Sequence, residues 1–309
     1  MRMSIPTGDA GLTLPQGQPT FVAARAGRAR RAASMRDEVQ IVVDDLVKRF
    51  TLPTGSLVAL DRISFRVRDG EFFCIVGPSG CGKTTILRIL AGLETVTSGN
   101  VAVHYHQSGR PRSAMVFQEQ SVFPWMTVEA NIAFGLRSQP MPPATRRDVV
   151  RYYLEQVGLT PFARAYPHQL SGGMKQRVSI ARAFATDAEI LLMDEPFAAL
   201  DEQNKLILQQ ELLRIWDESR KTVVFITHSI DEAVALGDRV LVMTAQPGKA
   251  KGVVAVDFKR PRHIPELRRD SRFGELVYDI WSALRDEVLR AREQGTARPG
   301  LSAQEEGPR

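Results

Sequence analysis

The sequence lacks the features that mark membrane-spanning and secreted proteins. No stretch of its 309 residues reaches the ~18 uninterrupted apolar residues of a membrane span, and the N-terminus lacks the apolar core of a secretory signal. There are only two cysteines, Cys74 and Cys81, so we expect reduced thiols and no disulfide framework. The composition, 43% apolar and 25% charged, is that of a globular protein with a large core.

Basic charge is scarce outside the first residues. The net charge is +6, but residues 1–36 contain six arginines, one acid and no lysine, and the rest of the chain is nearly neutral. A nucleic-acid-binding fold would carry its basic stripe on the folded part, so we expect no nucleic-acid partner. We interpret residues 1–36 as a disordered Arg-rich tail. A transit peptide, an over-extended start ahead of Met35 and an anchor to an anionic membrane are the alternatives.

The segment GPSGCGKTT (77–85) follows the apolar run FFCIV directly. The spacing of Gly77, Gly82, Lys83 and Thr84 is the P-loop pattern. Glycines let backbone N–H groups curl around phosphate oxygens, and the helix that starts near Lys83 directs its positive end at the same anion. Lys83 adds a charge for the outer phosphates, and the Thr84 hydroxyl can ligate Mg²⁺. The predicted phosphate-binding residues are Gly77, Pro78, Ser79, Gly80, Cys81, Gly82, Lys83, Thr84 and Thr85.

Strand patterns alternate with helical patterns over much of the chain. One buried apolar run precedes the P-loop, and further runs follow helices. This alternation predicts a parallel sheet and an α/β core. The runs are EFFCIV (71–76), EILLMDE (189–195), KTVVFITH (221–228) and DRVLVM (238–243).

Other patterns flank or interrupt this core. Order begins near VQIVV (39–43), and SLVALDRISFRV (56–67) is interpreted as two short strands around a turn. Amphipathic helices at 146–159 and 174–185 predict a helical insertion. A helical pattern at 271–293 has one apolar face, interpreted as packing against the same domain, and the last residues are expected to fray. That face comprises Phe273, Leu276, Val277, Ile280, Trp281, Leu284 and Val288.

Polar side chains follow three of the predicted strands. Asp194 and Glu195 end one run, at the sheet edge where parallel sheets bind ligands. Asp194 suits an Mg²⁺ ligand, while Glu195 can orient or deprotonate a water that attacks the γ-phosphate. Gln118, after the predicted strand AMVF (114–117), can reach Mg²⁺ and that water. His228 is either structural or a γ-phosphate contact. The predicted catalytic residues are Glu195, His228, Lys83 and Gln118, and the predicted metal ligands are Thr84, Gln118 and Asp194.

A second glycine segment, LSGGMKQR (170–177), opens a predicted helix with a serine and two glycines. Such a helix start is another anion cradle. Because the P-loop already serves the nucleotide, a second cradle on a different subdomain predicts that two chains sandwich ATP head to tail. Asp201, in FAALD, caps the next helix or communicates between the two nucleotide sites.

In this order, GPSGCGKTT, FQEQ, LSGGMKQR, LLMDEP, ALD and ITH resemble the ATP-binding subunits of ABC transporters over about residues 37–260. The resemblance implies a P-loop NTPase core with a mixed sheet, an antiparallel β subdomain and a helical insertion at about 124–187. The ATP-binding domain would span 37–262, followed by a C-terminal helical extension and frayed tail at 263–309.

The resemblance also implies roles for single residues. Ser171 and Gly173 of one copy, with Gly172 between them, would meet the γ-phosphate that the P-loop of the other copy holds. Phe50 would stack on adenine. The family roles of the P-loop and sheet-edge residues agree with those inferred from the residues themselves.

Narrower segments are similar to the nitrate, sulfonate and taurine importer group. They include VFPWMTVEANIAFGL (122–136) and QPGK…FKRPR (246–262). Two departures, Gln246 and Lys249 at a turn where arginines are common and an irregular hairpin at 104–112, are expected to lie away from the ATP site. Val122, Phe123, Pro124 and Trp125 form either a groove for a permease helix or a small core cluster.

The implied function is ATP hydrolysis, with ATP and Mg²⁺, that drives uptake of a small anion. The implied partners are a second copy of the chain, an integral membrane permease and, indirectly, a periplasmic or extracellular solute-binding protein. The implied location is the cytoplasmic face of the cell membrane. A soluble, non-transport ABC ATPase and an ATP-dependent regulator are the alternatives.

Overall fold

The structure, a computed structural model, covers most of the chain between its two ends. It describes residues 38–53, 55–106, 110–118, 122–198 and 200–296, with side chains as far as Arg290. The predicted tail at 1–36, most of the predicted frayed end and the middle of the hairpin at 104–112 lie outside the described residues.

The strands of the described residues build two sheets. They are β1 (Val39–Leu52), β2 (Gly55–Arg68), β3 (Phe72–Val76), β4 (Ser98–Val103), β5 (Ser113–Val116), β6 (Ile190–Asp194), β7 (Thr222–Ile226), β8 (Arg239–Met243) and β9 (Ala250–Ala255). A three-stranded antiparallel sheet has the order β2-β1-β4, and a six-stranded sheet has the order β5-β6-β7-β3-β8-β9. In the larger sheet only β9 is antiparallel to its neighbour, so the predicted mixed sheet and antiparallel β subdomain are both confirmed.

Helices cover the larger sheet and form the predicted insertion. They are α1 (Lys83–Leu90), α2 (Val128–Ala133), α3 (Pro143–Gln156), α4 (Gly172–Ala185), α5 (Glu202–Ser219), α6 (Ile230–Leu236), α7 (Ile264–Leu267) and α8 (Ser271–Thr296). Short 3-10 turns lie at Phe134–Leu136, Thr160–Phe162 and Pro167–Gln169. Across the described ranges, no helix combines the length and apolar character needed to cross a bilayer.

The central strands are buried on both faces. All residues of β3, β6 and β7 are buried, as continuous apolar runs in a covered parallel sheet require. Along β3, Phe73 and Ile75 pack with α1 and the antiparallel sheet, whereas Phe72 and Cys74 face the opposite helical layer. This alternation gives the molecule two cores, one on each side of the larger sheet.

The segment predicted as two short strands around a turn is one strand in the structure. β2 runs from Gly55 to Arg68 and pairs with β1 along its length, with register shifts. Arg62 in β2 and Asp45 in β1 have φ angles of 51° and 47°. These register shifts are β-bulges, which allow the backbone to bend locally while β2 stays hydrogen-bonded to β1. The prediction of two strands was therefore wrong.

The long C-terminal helix packs on the larger sheet through one row of side chains. Phe273, Ile280 and Leu284 are buried there, together with the carboxylate of Glu287. Glu287 accepts hydrogen bonds from the backbone N–H of Ala245 (3.2 Å) and from Lys251 Nζ (2.9 Å). These bonds turn Glu287, and not its neighbour Val288, toward the sheet.

Two residues predicted on the packed face of α8 are exposed. Trp281 is 47% exposed and Val288 is 37% exposed. The prediction of one packing face is therefore wrong for these two side chains, which lie on a second, open side of the helix.

Candidate active site

The loop after β3 has backbone conformations and close contacts that require glycine. Gly80 and Gly82 have φ angles of 77° and 96°, in the region that glycine adopts without strain. A Cβ at Gly82 would lie 2.5 Å from Leu60 Cδ2, and one at Gly77 would lie 2.9 Å from Cys81 Sγ. A tight, side-chain-free loop at the start of α1 fits a phosphate group.

Lys83 is the first residue of α1 and is buried beneath this loop, with 6% of its surface exposed. Its Nζ donates hydrogen bonds to the carbonyl oxygens of Gly77 (2.9 Å) and Pro78 (3.0 Å). The ammonium group therefore lies within the loop, where it can meet the charge of a bound phosphate.

Two oxygen ligands lie side by side at the ends of β6 and the P-loop. Thr84 Oγ1 donates a hydrogen bond to Asp194 Oδ1 over 3.2 Å. Burial raises the pKa of Asp194, and the charge of Glu195 raises it further, while the Thr84 bond lowers it. A hydroxyl beside a carboxylate, next to a phosphate loop, is a donor set that fits Mg²⁺.

Two side chains from neighbouring strand ends converge on the carboxylate of Glu195. Gln118 Nε2 donates to Glu195 Oε2 over 3.4 Å, and His228 Nδ1 lies 3.2 Å from the same oxygen. Glu195 has a φ angle of 43°, and its N–H donates to the carbonyl of Ile226. This turn directs Glu195 away from the strand direction that Asp194 follows, so the two carboxylates serve different positions.

The predicted second cradle does not join the P-loop within this chain. The Ser171 hydroxyl accepts a hydrogen bond from Met174 N (3.3 Å) and so caps its own helix, α4. Phe50, predicted to stack on adenine, is half-buried on β1 with Lys48 Nζ 4.8 Å from its ring centre. Asp201 caps α5 by accepting from Asn204 N over 3.1 Å. The structure thus supports the role of Asp201 as a helix cap. Its role in communication between two nucleotide sites stays a prediction.

A buried hydrogen-bond chain behind His228 was missed in the sequence. Thr227 Oγ1 donates to Glu232 Oε2 over 2.6 Å and accepts from Ser229 N over 3.0 Å. Ser229 in turn caps α6 by accepting from Glu232 N. The spacing of Ser229 and Glu232 is that of a capping box and is the signal that could have found this support.

The sequence departure at Gln246 and Lys249 lies closer to the P-loop than expected. A Cβ placed on Gly248, between them, would lie 2.0 Å from the carbonyl oxygen of Cys81. The turn therefore supports the back of the P-loop, which corrects the expectation that it lies away from the ATP site.

A cleft of about 650 Å³ opens beside the P-loop. Ser79 and His228 line one side, and Trp281, Arg285 and Val288 of α8 line the other. This wall was not predicted, although the helical spacing of Trp281, Arg285 and Val288 could have indicated a second stripe beside the packed one.

A second cleft, of about 770 Å³, lies at the opposite edge of the sheet, near the amino ends of β3 and β8. Its charges neutralise one another, because Arg239 pairs with Glu71 (3.2 Å) and Arg260 pairs with Asp238 (2.8 Å). It therefore offers no concentrated charge to a ligand.

An exposed aromatic patch, comprising Phe123, Trp125 and Phe134, lies after the segment that carries Gln118. The ring centres of Phe123 and Phe134 are 4.5 Å apart, and Trp125 is 69% exposed. Buried Asn131 holds the patch, accepting from Phe123 N over 2.8 Å and donating to its carbonyl over 3.2 Å. The exposure of Trp125 disagrees with a core cluster for this residue, whereas Val122 packs against the core. The groove for a permease helix stays a prediction.

Comparison with known proteins agrees with this geometry. Residues 60–198 match the ABC transporter family. The chain is 47% identical to an uncharacterised ABC transporter ATP-binding protein of Methanocaldococcus jannaschii, over 83% of this chain and 95% of that protein. It is 42% identical to a nitrate import ATP-binding protein of Synechocystis sp., over 80% and 96% of the two chains.

Two further comparisons concern a sulfonate importer and a solved structure. An aliphatic sulfonates import ATP-binding protein of Bacillus cereus is 40% identical, over 72% of this chain and 88% of its own length. The fold also matches a dimeric ATP-binding cassette in a post-hydrolysis state with bound ADP and Pi. That match has a TM-score of 0.62 and 29% identity, over 71% of this chain and 100% of that chain.

Proposed function

This chain belongs to the ABC transporter family and is an ATP-binding, ATP-hydrolysing subunit; from that premise we propose that it drives an importer for a small anion of the nitrate or sulfonate type. The observation that carries the proposal is the convergence of Gln118 and His228 on Glu195, beside the P-loop. The anion class follows from the names of the nitrate and sulfonate relatives.

In the proposed reaction, Glu195 positions a water against the γ-phosphate. The water oxygen forms a bond to phosphorus, the bond from phosphorus to the β,γ-bridging oxygen breaks, and ADP leaves. Glu195 accepts the proton of the water as general base, and His228 and Gln118 hold its carboxylate in place. Lys83 binds the outer phosphates from within the loop.

Thr84 and Asp194, together with Gln118, would hold Mg²⁺ in this site. When bound, Mg²⁺ neutralises charge on the phosphate oxygens. The protein orients the metal ligands in advance. Asp194 is buried at the end of β6 and accepts a hydrogen bond from Thr84, so its carboxylate is fixed before any cation binds.

The proposal includes a head-to-tail dimer. The P-loop of one copy and the Ser171–Gly173 segment of its partner would grip one triphosphate. Moving a two-state element from about 1:99 to 99:1 takes about 5.5 kcal/mol of differential binding. Each charge-assisted hydrogen bond to phosphate contributes about 1.5–3 kcal/mol. A few such bonds to two shared nucleotides are therefore sufficient to supply this energy.

The aromatic patch is the proposed contact for a membrane permease, and the proposed location of the chain is the cytoplasmic face of the membrane. Trp125 is largely exposed, and its ring centre lies 5.5 Å from that of Phe123. It lies close in sequence to Gln118, so movement of a permease segment here can be coupled to the γ-phosphate site. A solute-binding protein would contact the permease and not this chain.

The experiment uses cells in which this chain carries Lys83→Ala, and it measures uptake of nitrate, taurine and an alkanesulfonate. Loss of uptake of one of these anions supports the importer, and unchanged uptake of all three contradicts the anion class. Trp125→Ala should abolish co-purification with the proposed membrane permease while leaving ATP binding intact. Val253→Ala, which removes an exposed apolar side chain on β9, is the matched control. Retained co-purification with Trp125→Ala would exclude the patch as the permease contact.

A further inference from the structure

The open side of α8 presents large side chains to the cleft beside the P-loop. Trp281 is 47% exposed, Val288 37% and Leu289 51%, and all three line the cleft. We infer that this side of α8, called here the α8 wall and comprising Trp281, Arg285, Val288 and Leu289, is part of the interface with a second copy of the chain. It would seat the partner's segment from Leu200 to Glu202. The inference rests on the proposed head-to-tail dimer.

The α8 wall is continuous with the surface on which that dimer would close. Ser79 of the P-loop and His228 line the same cleft as Trp281 and Arg285. In the proposed dimer, Ser79 faces the partner's Ser171–Gly173 segment. Whatever lies next to that segment in the partner therefore enters the space between Ser79 and α8.

The structure identifies what lies next to that segment. A Cβ placed on Gly173 would lie 3.6 Å from Leu200 Cδ2, an ordinary contact distance. Leu200 is half-buried, and Asp201 and Glu202 directly after it are exposed. The segment thus offers an apolar side chain followed by two acids, carried on the same surface as the second cradle.

The chemistry of the α8 wall complements that segment. Trp281, Val288 and Leu289 supply apolar surface for Leu200. Arg285 has a 61% exposed side chain and lies 5.9 Å from the Trp281 ring centre. It can pair with Glu202, whose side chain is 81% exposed and lies 3.4 Å from Lys205 Nζ of its own helix. Asp286 adjoins Arg285 and lies 3.5 Å from it, so its charge offsets part of the attraction between Arg285 and Glu202. The apolar contact with Leu200 would supply the remaining binding energy.

Crosslinking tests the contact in the full-length protein with Glu195→Gln, which blocks turnover. The variant pair Leu289→Cys with Glu202→Cys should give an ATP-dependent covalent dimer with a short bismaleimide. Asp279→Cys with Glu202→Cys, which places the thiol at an exposed α8 position outside the cleft, should not. The native Cys74 and Cys81 are buried and do not compete.

A second pair, Ser79→Cys with Gly172→Cys, reports the dimer itself. If this pair crosslinks and Leu289 with Glu202 does no better than the Asp279 control, the α8 contact is wrong and the proposed dimer stands. If neither pair crosslinks, the dimer and the α8 contact both fail. Capture of a permease, and not of a second copy, by Leu289→Cys would also overturn the inference.

Charge reversal gives a measurement that does not need new thiols. Arg285→Glu should weaken ATP-dependent dimerisation by about fivefold, and adding Glu202→Arg in the same chain should restore most of the loss. Arg272→Glu, a reversal at the start of α8 and outside the cleft, should have no effect. Equal weakening by both arginine variants, or no rescue by the double variant, contradicts the pairing.

Discussion

The chain contains two glycine-rich helix starts that differ in how complete they are. The P-loop at 77–85 is surrounded by groups from its own chain: Lys83 bonds the loop carbonyls, and Thr84 bonds Asp194. At the start of α4, the Ser171 hydroxyl accepts a hydrogen bond from Met174 N of its own helix. The first helix start is thus surrounded by groups from several elements of its own chain, whereas the second is capped by its own serine. The proposed head-to-tail dimer would account for this difference, because the second helix start of one copy would complete the nucleotide site of the other.

We expect the largest effect from a variant that removes the general base and leaves both helix starts intact. Glu195→Gln should lower ATP turnover by roughly 10²–10⁴-fold, because the amide cannot accept the proton of the attacking water. ATP affinity should persist, since the P-loop is unchanged. Steady-state turnover and a binding titration measure the two quantities. Glu155→Gln, an exposed glutamate on α3, is the control, and near-normal turnover of Glu195→Gln would remove this residue from its role.

The next effect disables only the second helix start. Ser171→Arg fills the Ser171–Gly173 segment with a long side chain, and turnover should fall by about 10²-fold or more because the partner can no longer approach the phosphate. Nucleotide binding to the P-loop should remain. Ser138→Arg, an equal change at an exposed site, controls for added charge. If Ser171→Arg also loses nucleotide binding in the isolated chain, the P-loop and the Ser171–Gly173 segment do not act separately. The contrast drawn between the two helix starts would then be wrong.

A smaller effect concerns the backbone of the P-loop. Gly82→Ala adds a Cβ 2.5 Å from Leu60 Cδ2 at a φ angle of 96°, so the loop must shift. We expect ATP affinity to fall by about tenfold, with a stability loss of about 1–3 kcal/mol. Gly252→Ala, which meets nothing within 4 Å, should change neither. ATP titration and thermal unfolding measure both, and unchanged affinity would show that the loop conformation is not required.

The smallest effect is a pH dependence confined to the first region. Burial holds the pKa of Asp194 above its ordinary value of 3.8, so the carboxylate is protonated sooner than an exposed one as pH falls. Mg²⁺-dependent ATP binding should weaken over that range, by less than tenfold. The sign for the nucleotide-free protein is opposite, because its stability gains as the buried charge is neutralised. Asp194→Asn should abolish both trends, and a pH response that survives this variant would assign the effect elsewhere.

Much of the active site could be predicted because its parts follow from local sequence. Gln118, Asp194 and His228 each come after a short apolar run, and parallel strands bring their ends to one edge. The structure adds to that expectation the distances at which Gln118 and His228 meet the Glu195 carboxylate. The α/β core follows from the same alternation of runs, and the helical insertion follows from two amphipathic patterns, whereas the mixed sheet and the antiparallel subdomain were implied only by the family resemblance.

The features that could not be predicted depend on contacts between distant segments. The pairing of β2 along β1 overrides the turn tendency near Arg62. The rotation of α8 is set by Glu287 bonding Ala245 N, forty-two positions away, and this bond leaves Trp281 open. A helical stripe indicates that a face is apolar, but it does not say which of two adjacent faces meets the core.

The shared nucleotide site is tested most directly by disulfide or maleimide crosslinking between Ser79→Cys and Gly172→Cys in the Glu195→Gln background. With ATP, we expect a covalent dimer that joins the P-loop of one copy to the α4 start of the other, and none without nucleotide. A chain that stays monomeric under these conditions, with ATP bound, would contradict the shared site.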